Sequence, residues 1–198
     1  MILDALGNYL AQQSLSLRLL DEDHTVDWFD CGRDEQMNDW LVKRALKWQA
    51  ENLSKVWILS TCDRPEAVVG FFTLSAHQVA PNSVPKDYRA QDSANKSWVN
   101  NLQAAFPATL LGKFALDKDR QKLGLGETLM LCAYVQHLVA DSHSASKFLV
   151  LDVKNPGLSR YYKKKYGFLS VSSGDKTGRM VKATSTIEKE ISEILGVG

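Results

Sequence analysis

Chemistry is most legible where a strand, a glycine turn and a helix follow one another. Leu110-Leu111-Gly112-Lys113-Phe114-Ala115-Leu116-Asp117 contains a strand over about 109–116, and the turn Gln121-Lys122-Leu123-Gly124-Leu125-Gly126 then opens a helix. The first backbone N–H groups of a helix have no intrahelical partner, and with the positive end of the helix dipole they make an anion site. Gly124 and Gly126 would let a pyrophosphate approach the backbone with no Cβ in the way. Lys122 would add a charge contact. The stretch lacks the third glycine of a dinucleotide fingerprint and the Gly-Lys-Ser/Thr ending of a Walker loop. A turn glycine with no ligand is the other reading, and these residues alone leave both open.

Other reactive side chains are less pointed. Arg160 with Lys163, Lys164 and Lys165 is the densest basic cluster, either a phosphate-binding rim or a solvated helix end. Asp117 closes the strand, where a loop acid caps or is solvated. Glu127 suits the helix dipole. His77 stands at a strand end, as a base or as an exposed imidazole. Cys31, Cys62 and Cys132 are odd in number, far apart and without a Cys-x-x-Cys pair, which suits reduced thiols in a cytoplasmic protein and no metal site.

The elements that must position these residues follow from periodicity. Ser14 to Leu20 alternates as a strand. A helix is expected from about Asp34 to Asn52, with Met37, Leu41, Ala45 and Trp48 on one face and Asp34 as its cap. Strands follow at 55–61 and 67–76. Residues 77–107 are polar, carry Pro81, Pro85 and Pro107, and offer only Trp98, Val99 and Leu102 as apolar anchors, so an insertion is expected there. A helix over 124–140, a strand over 148–153, a short helix over 158–165 and a strand over 168–172 complete the order. Ile187, Ile191 and Ile194 with Leu195 form a helical stripe in the tail after 178, suited to docking or a homodimer contact. Strands alternating with helices give a mixed α/β layer fold. The 198 residues are 44% hydrophobic with net charge +1, which fits one soluble domain with no membrane span and no strong overall field for nucleic acid.

Further along, Asn155, Leu158, Tyr161 and Tyr162 precede Gly167-Phe168. Together with Gln-x-x-Gly-x-Gly after an apolar strand, this resembles the two acetyl-CoA motifs of the GNAT N-acetyltransferase superfamily, whose second motif runs Asn-x-x-Ala-x-x-Leu-Tyr before Gly-Phe. Here leucine replaces the alanine, tyrosine the leucine, and one extra residue precedes Gly167. Phe29-Asp30-Cys31-Gly32 with Met37-Asn38-Asp39-Trp40-Leu41, Val69-Gly70-Phe71-Phe72-Thr73-Leu74-Ser75 and Leu111-Gly112-Lys113-Phe114-Ala115-Leu116-Asp117 are similar to blocks of the GNAT toxins of bacterial toxin–antitoxin pairs. The likeness spans about residues 15–172. Lys113 and Phe114 stand where that branch has arginine and leucine, and the tail after Thr177 is additional to it.

The resemblance implies an α+β GNAT fold whose mostly antiparallel sheet splays into a V with flanking helices. It also implies acetyl-CoA as cosubstrate, with Phe114, Ala115 and Leu116 on the pantetheine arm and Gln121, Lys122, Leu123, Gly124, Leu125, Gly126, Glu127 and Thr128 on the pyrophosphate. Asn155 would contact the cofactor or hold its loop, and Tyr162 would lie near the thioester sulfur as general acid. Lys113, Arg160, Lys163 and Lys164 would meet the acceptor. For the toxin branch that acceptor is the α-amine of aminoacyl-tRNA, and the partner is a ribbon-helix-helix antitoxin. A small amine or a protein as acceptor, or a non-catalytic acetyl-CoA-binding module, are the alternatives. A backbone N–H near Leu116 would meet the oxyanion. No carboxylate presents itself as a base, and an α-amine with a pKa of about 7.7–8.0 hardly needs one.

Overall fold

The computed structural model describes residues 1–32, 34–85, 88, 104–171 and 178–197. Trp98, Val99 and Leu102, the anchors of the expected insertion, lie outside the described residues. Among the described residues, seven strands are hydrogen-bonded in the order β1-β2-β3-β4-β5-β7-β6. In chain order the elements are α1 (Ile2–Ala11), β1 (Leu15–Leu19), α2 (Glu35–Ala50), β2 (Lys55–Thr61), β3 (Gly70–Val79), β4 (Phe106–Leu116), α3 (Leu125–His143), β5 (Phe148–Asp152), α4 (Pro156–Tyr166), β6 (Leu169–Ser170), β7 (Arg179–Ala183) and α5 (Thr184–Leu195). The β1–β2, β2–β3, β5–β7 and β6–β7 pairs are antiparallel. The mixed α/β class expected from the alternation of elements is what the chain adopts.

The chain divides into two compact units, the first made of Met1–Ser75, Leu111–His137 and Lys189–Gly198, the second of Ala76–Leu110 and Leu138–Glu188. In the first, β1 runs against β2 with Leu15 opposite Thr61 and Leu19 opposite Trp57, and β2 runs against β3 with Ile58 opposite Phe71. Phe29, Trp40, Leu41, Ala45, Val56, Ile58 and Phe71 close this core, with the Trp40 and Phe71 rings stacked at 6.1 Å. Gln49 ties α2 to the sheet: its amide donates to the Leu20 carbonyl at 2.6 Å and its oxygen accepts from the Val56 N–H at 2.9 Å.

Three expectations need correction here. Asp34 precedes α2 but its side chain makes no capping bond. Its carbonyl instead accepts from the Met37 N–H at 2.9 Å and the Cys31 thiol at 3.4 Å. Trp48 is 39% exposed, and Trp40 takes the core position expected of it. The strand expected at 67–76 begins at Gly70 and runs to Val79. Val69 lies just before it, donating to Leu59 and accepting from Asp117, both at 2.9 Å.

In the second unit, β5 lies against β7 with Phe148 opposite Ala183 and Asp152 opposite Arg179. Val79, Val84, Phe106, Ala108, Phe148, Val150, Val181 and Ala183 are its core. The Arg179 guanidinium meets the Asp152 carboxylate with both arms, at 2.8 and 3.0 Å. Ser146 joins β4 to the start of β5 and α5: its hydroxyl lies 2.9 Å from that of Thr109, and its carbonyl accepts from the Thr184 hydroxyl. Of the stripe in the tail, Ile187 and Ile191 are buried within the chain, at 0% and 1% exposure, while Ile194 is exposed at 55%.

Candidate functional site

The first unit carries the glycine turn. β4 ends where the Asp117 N–H donates to Val69, and the Asp117 carboxylate then accepts from the Asp119 N–H at 2.9 Å and the Asp30 N–H at 3.2 Å. This caps the 3-10 turn Lys118–Arg120. Gln121 is exposed, and its side-chain amide folds back to donate to the carbonyls of Cys31 at 3.0 Å and Leu116 at 3.1 Å. Lys122 and Gly124 have φ of 65° and 82°. The second value requires glycine for comfort, and a Cβ at Gly124 would meet nothing within 4 Å. The open space beside Gly124 is what an approaching pyrophosphate needs. Leu123 at the tip is exposed, and α3 begins at Leu125. Within its first turn Glu127 already donates to the Gly124 carbonyl at 3.0 Å, while buried Thr128 hydrogen-bonds Gln13 at 3.3 Å.

The support of this turn was missed by sequence reasoning. Asp30 accepts from the Gly32 N–H at 2.8 Å and the Asn38 amide at 2.9 Å, and pairs with Lys118 at 2.8 Å. The Lys118 N–H donates to the Asp30 carbonyl at 2.7 Å, and Asn38 also accepts from the Cys31 N–H at 2.9 Å. The Lys118 bond, followed by those from Gly32 and Asn38, lowers the Asp30 carboxyl pKa to about 2. A folded pKa below the unfolded value of 3.8 stabilises the folded state above that value, and the stabilisation is lost as pH falls from about 4 to about 2. In Asp30→Asn this acid-limb loss should shrink. Thermal melts across that pH window check it.

On β4 itself the Lys113 ammonium lies 5.5 Å from the Trp40 ring centroid, and the Lys113 N–H donates to the Thr73 hydroxyl at 2.9 Å. Ala115 is buried, and Phe114 and Leu116 are half-buried. Gly70 gives β3 its close approach to this strand, since a Cβ there would stand 3.0 Å from the Ala115 carbonyl oxygen and 2.6 Å from the Leu116 side chain.

The second unit carries Asn155, Arg160, Tyr162, Lys163 and Lys164 on or beside α4. Asn155 is the N-cap, its side-chain oxygen accepting from the Leu158 N–H at 2.9 Å, with Pro156 at the first helical position. α4 runs to Tyr166 and Gly167 closes it at φ 69°, the left-handed conformation that favours glycine at a helix end. Tyr162 is half-buried in an aromatic cluster, with its ring centroid 5.6 Å from Tyr161, 5.8 Å from Tyr166 and 6.1 Å from Phe168. Burial, with a smaller contribution from Tyr161, pushes its phenol up to about 12. Tyr162 thus keeps its proton through the neutral range. Arg160, Lys163 and Lys164 are exposed. His77, on β3, has its pKa lowered by burial and then by Arg179. Its Nε2 is buried without a hydrogen-bond partner among the described residues.

Among the described residues, no group of three or more His, Cys, Asp or Glu is arranged to hold a metal ion, and no helix is long and apolar enough to cross a membrane. Burial raises the Cys31 thiol above its usual value and the Cys132 thiol to about 12, so neither of these two is activated.

No family model matches the chain. Solved structures do. A tyrosine-to-phenylalanine mutant of KacT is 20% identical over 90% of this chain and 99% of its own, with a TM-score of 0.76. AtaT in complex with acetyl-methionyl-tRNAfMet is 23% identical over 89% of this chain and 98% of its own, with a TM-score of 0.75. An AtaT mutant toxin, again tyrosine to phenylalanine, bound to acetyl-CoA and the C-terminus of the antitoxin AtaR, is 21% identical over 90% and 99%, with a TM-score of 0.71. This chain therefore has the GNAT fold, in the form that the toxins KacT and AtaT have.

Proposed function

We propose that this chain is an acetyl-CoA-dependent N-acetyltransferase whose acceptor is the α-amine of aminoacyl-tRNA, so that its activity blocks translation. The observation that carries the proposal is likeness along nearly the whole chain to AtaT, solved with an acetylated methionyl-tRNA and, in another structure, with acetyl-CoA. Two local features support it: the open turn at Gly124 and the protonated Tyr162 on its capped helix.

Acetyl-CoA supplies an acetyl thioester open to direct attack by a neutral amine. The chain's own residues then have three tasks. Gln121 shapes the turn from behind, while the backbone from Lys122 to Thr128 takes the pyrophosphate at the helix start. Main chain of Phe114–Leu116 holds the pantetheine arm, and an N–H near Leu116 meets the developing oxyanion. Tyr162 donates a hydrogen bond from its hydroxyl to the sulfur as the C–S bond breaks. With its pKa raised to about 12, against about 8.5 for a thiol, full proton transfer is uphill, so CoA departs as the hydrogen-bonded thiolate and the attacking amine's proton passes to water. An α-amine of pKa about 7.7–8.0 is roughly a third neutral near pH 7.5, so water suffices as base.

Lys113 and the exposed Arg160, Lys163 and Lys164 supply phosphate contacts for the acceptor. The 198 residues act as one cytoplasmic acetyltransferase domain, held in check by an antitoxin of ribbon-helix-helix type and able to form a homodimer. A net charge of +1 is low for a tRNA binder and favours, as second reading, a small amine or a protein terminus as acceptor. A reconstituted translation reaction separates the two. The proposal expects protein synthesis to stop only when both the chain and acetyl-CoA are present. Undiminished synthesis, with acetyl-CoA consumed on a small amine, would favour the second reading.

A further inference from the structure

We propose that Lys182 is a positioning residue, which grips the end of α4 and thereby fixes the aim of the Tyr162 phenol. The inference rests on the reading of Tyr162 as the hydrogen-bond donor to the leaving sulfur. Lys182 lies on β7 between Val181 and Ala183 and is only 1% exposed. Its ammonium donates to the Tyr166 carbonyl at 2.6 Å and lies 5.9 Å from the centroid of the Phe168 ring. Tyr166 and Phe168 are two of the residues against which the Tyr162 ring rests, at 5.8 and 6.1 Å. The Phe168 N–H also donates back to the Tyr162 carbonyl at 3.4 Å. One cation thus touches, through the Tyr166 main-chain carbonyl and the Phe168 ring, two of the three residues whose rings surround that of Tyr162.

The residue type is informative. An ammonium taken out of water is costly unless it is paired, whereas an unbranched apolar side chain would fill the same space without that cost. Packing alone therefore does not account for lysine here. A cation at the last carbonyls of a helix is favoured by the helix dipole and supplies a donor to an orphan acceptor.

The test is a double-mutant cycle of Lys182→Met and Tyr162→Phe, with acetyl transfer from acetyl-CoA to bulk aminoacyl-tRNA as the rate. In the otherwise native protein, Lys182→Met should lower kcat by about tenfold or more, because a small misplacement of a reacting group is enough to do so. KM for acetyl-CoA should stay within about twofold, and in the Tyr162→Phe background the same change should cost less than about twofold. Lys182→Gln takes the place of Lys182→Met if the latter does not fold. Independently of any acceptor, hydrogen exchange at the amides of residues 162–168 should quicken in Lys182→Met. Unchanged exchange, or an equal loss of kcat in both backgrounds, would overturn the positioning role while leaving Tyr162 as donor. A Tyr162→Phe protein as active as the native one would overturn the donor reading, and the positioning role with it.

Discussion

Tyr162→Phe should lower kcat by about 10²- to 10⁴-fold, the range that a positioned acid supplies, while acetyl-CoA binds as before. Phenylalanine keeps the ring, and with it the contacts to Tyr161, Tyr166 and Phe168. The glycine turn proposed for the pyrophosphate belongs to the other compact unit. A fall in kcat with unchanged acetyl-CoA affinity is the signature of an interaction made in the transition state. The pH profile adds a second mark. An ordinary phenol near 10 would lose its acid form above that pH, but burial raises Tyr162 to about 12. The alkaline side of kcat should therefore stay flat past pH 10, up to the limit of protein stability. A native profile that falls near pH 10, and flattens in Tyr162→Phe, would show that the phenol is not buried as described.

The second large effect is expected at Gly124. An L-residue at φ 82° is strained by roughly 1–2 kcal/mol, although no protein atom stands within 4 Å of the new Cβ. The loss therefore reports the turn itself and the space beside it. Gly124→Val should weaken acetyl-CoA binding by about tenfold or more, since 1.4 kcal/mol is a factor of ten and the branched side chain also fills the ligand's approach. Gly124→Asn, which tolerates the left-handed region, should lose less. Isothermal titration with acetyl-CoA reads both. Equal affinities for the valine variant and the native chain would remove the turn from the binding site.

Local pattern made the strand–turn–helix and the Tyr162 helix legible, and long-range contact concealed what holds them. β4, α3, β5 and α4 end within a few residues of the places their periodicity gives. Asn155 reads as part of a motif and proves to be a cap, which its residue type at a helix start already suggests. By contrast, Lys118 reaches Asp30 across 88 positions and Gln121 reaches Cys31 across 90, and no window along the chain joins them. The only local signal was Asp30 ahead of Cys31-Gly32 with Asn38 in the next helix, a block that reads equally as an apolar helix entry.

Two elements escaped for different reasons. α1 buries only Leu6 and Leu10, a stripe too thin to stand out. β7 is Arg179-Met180-Val181-Lys182-Ala183, and its two cations disguise a strand in which Met180, Val181, Lys182 and Ala183 are all buried. Arg179 is satisfied by Asp152 and Lys182 by a helix end. Those partners exist only once the chain has folded.

Acetyl transfer to the amine of an aminoacyl-tRNA is read with labelled acetyl. Acetyl-CoA carrying the label in its acetyl group is incubated with bulk aminoacylated tRNA and the full chain, beside the Tyr162→Phe protein. Label appearing on the α-amine of aminoacyl-tRNA, and lost or greatly reduced with Tyr162→Phe, is the predicted result. No transfer to any aminoacyl-tRNA, by a chain that demonstrably binds acetyl-CoA, would contradict it.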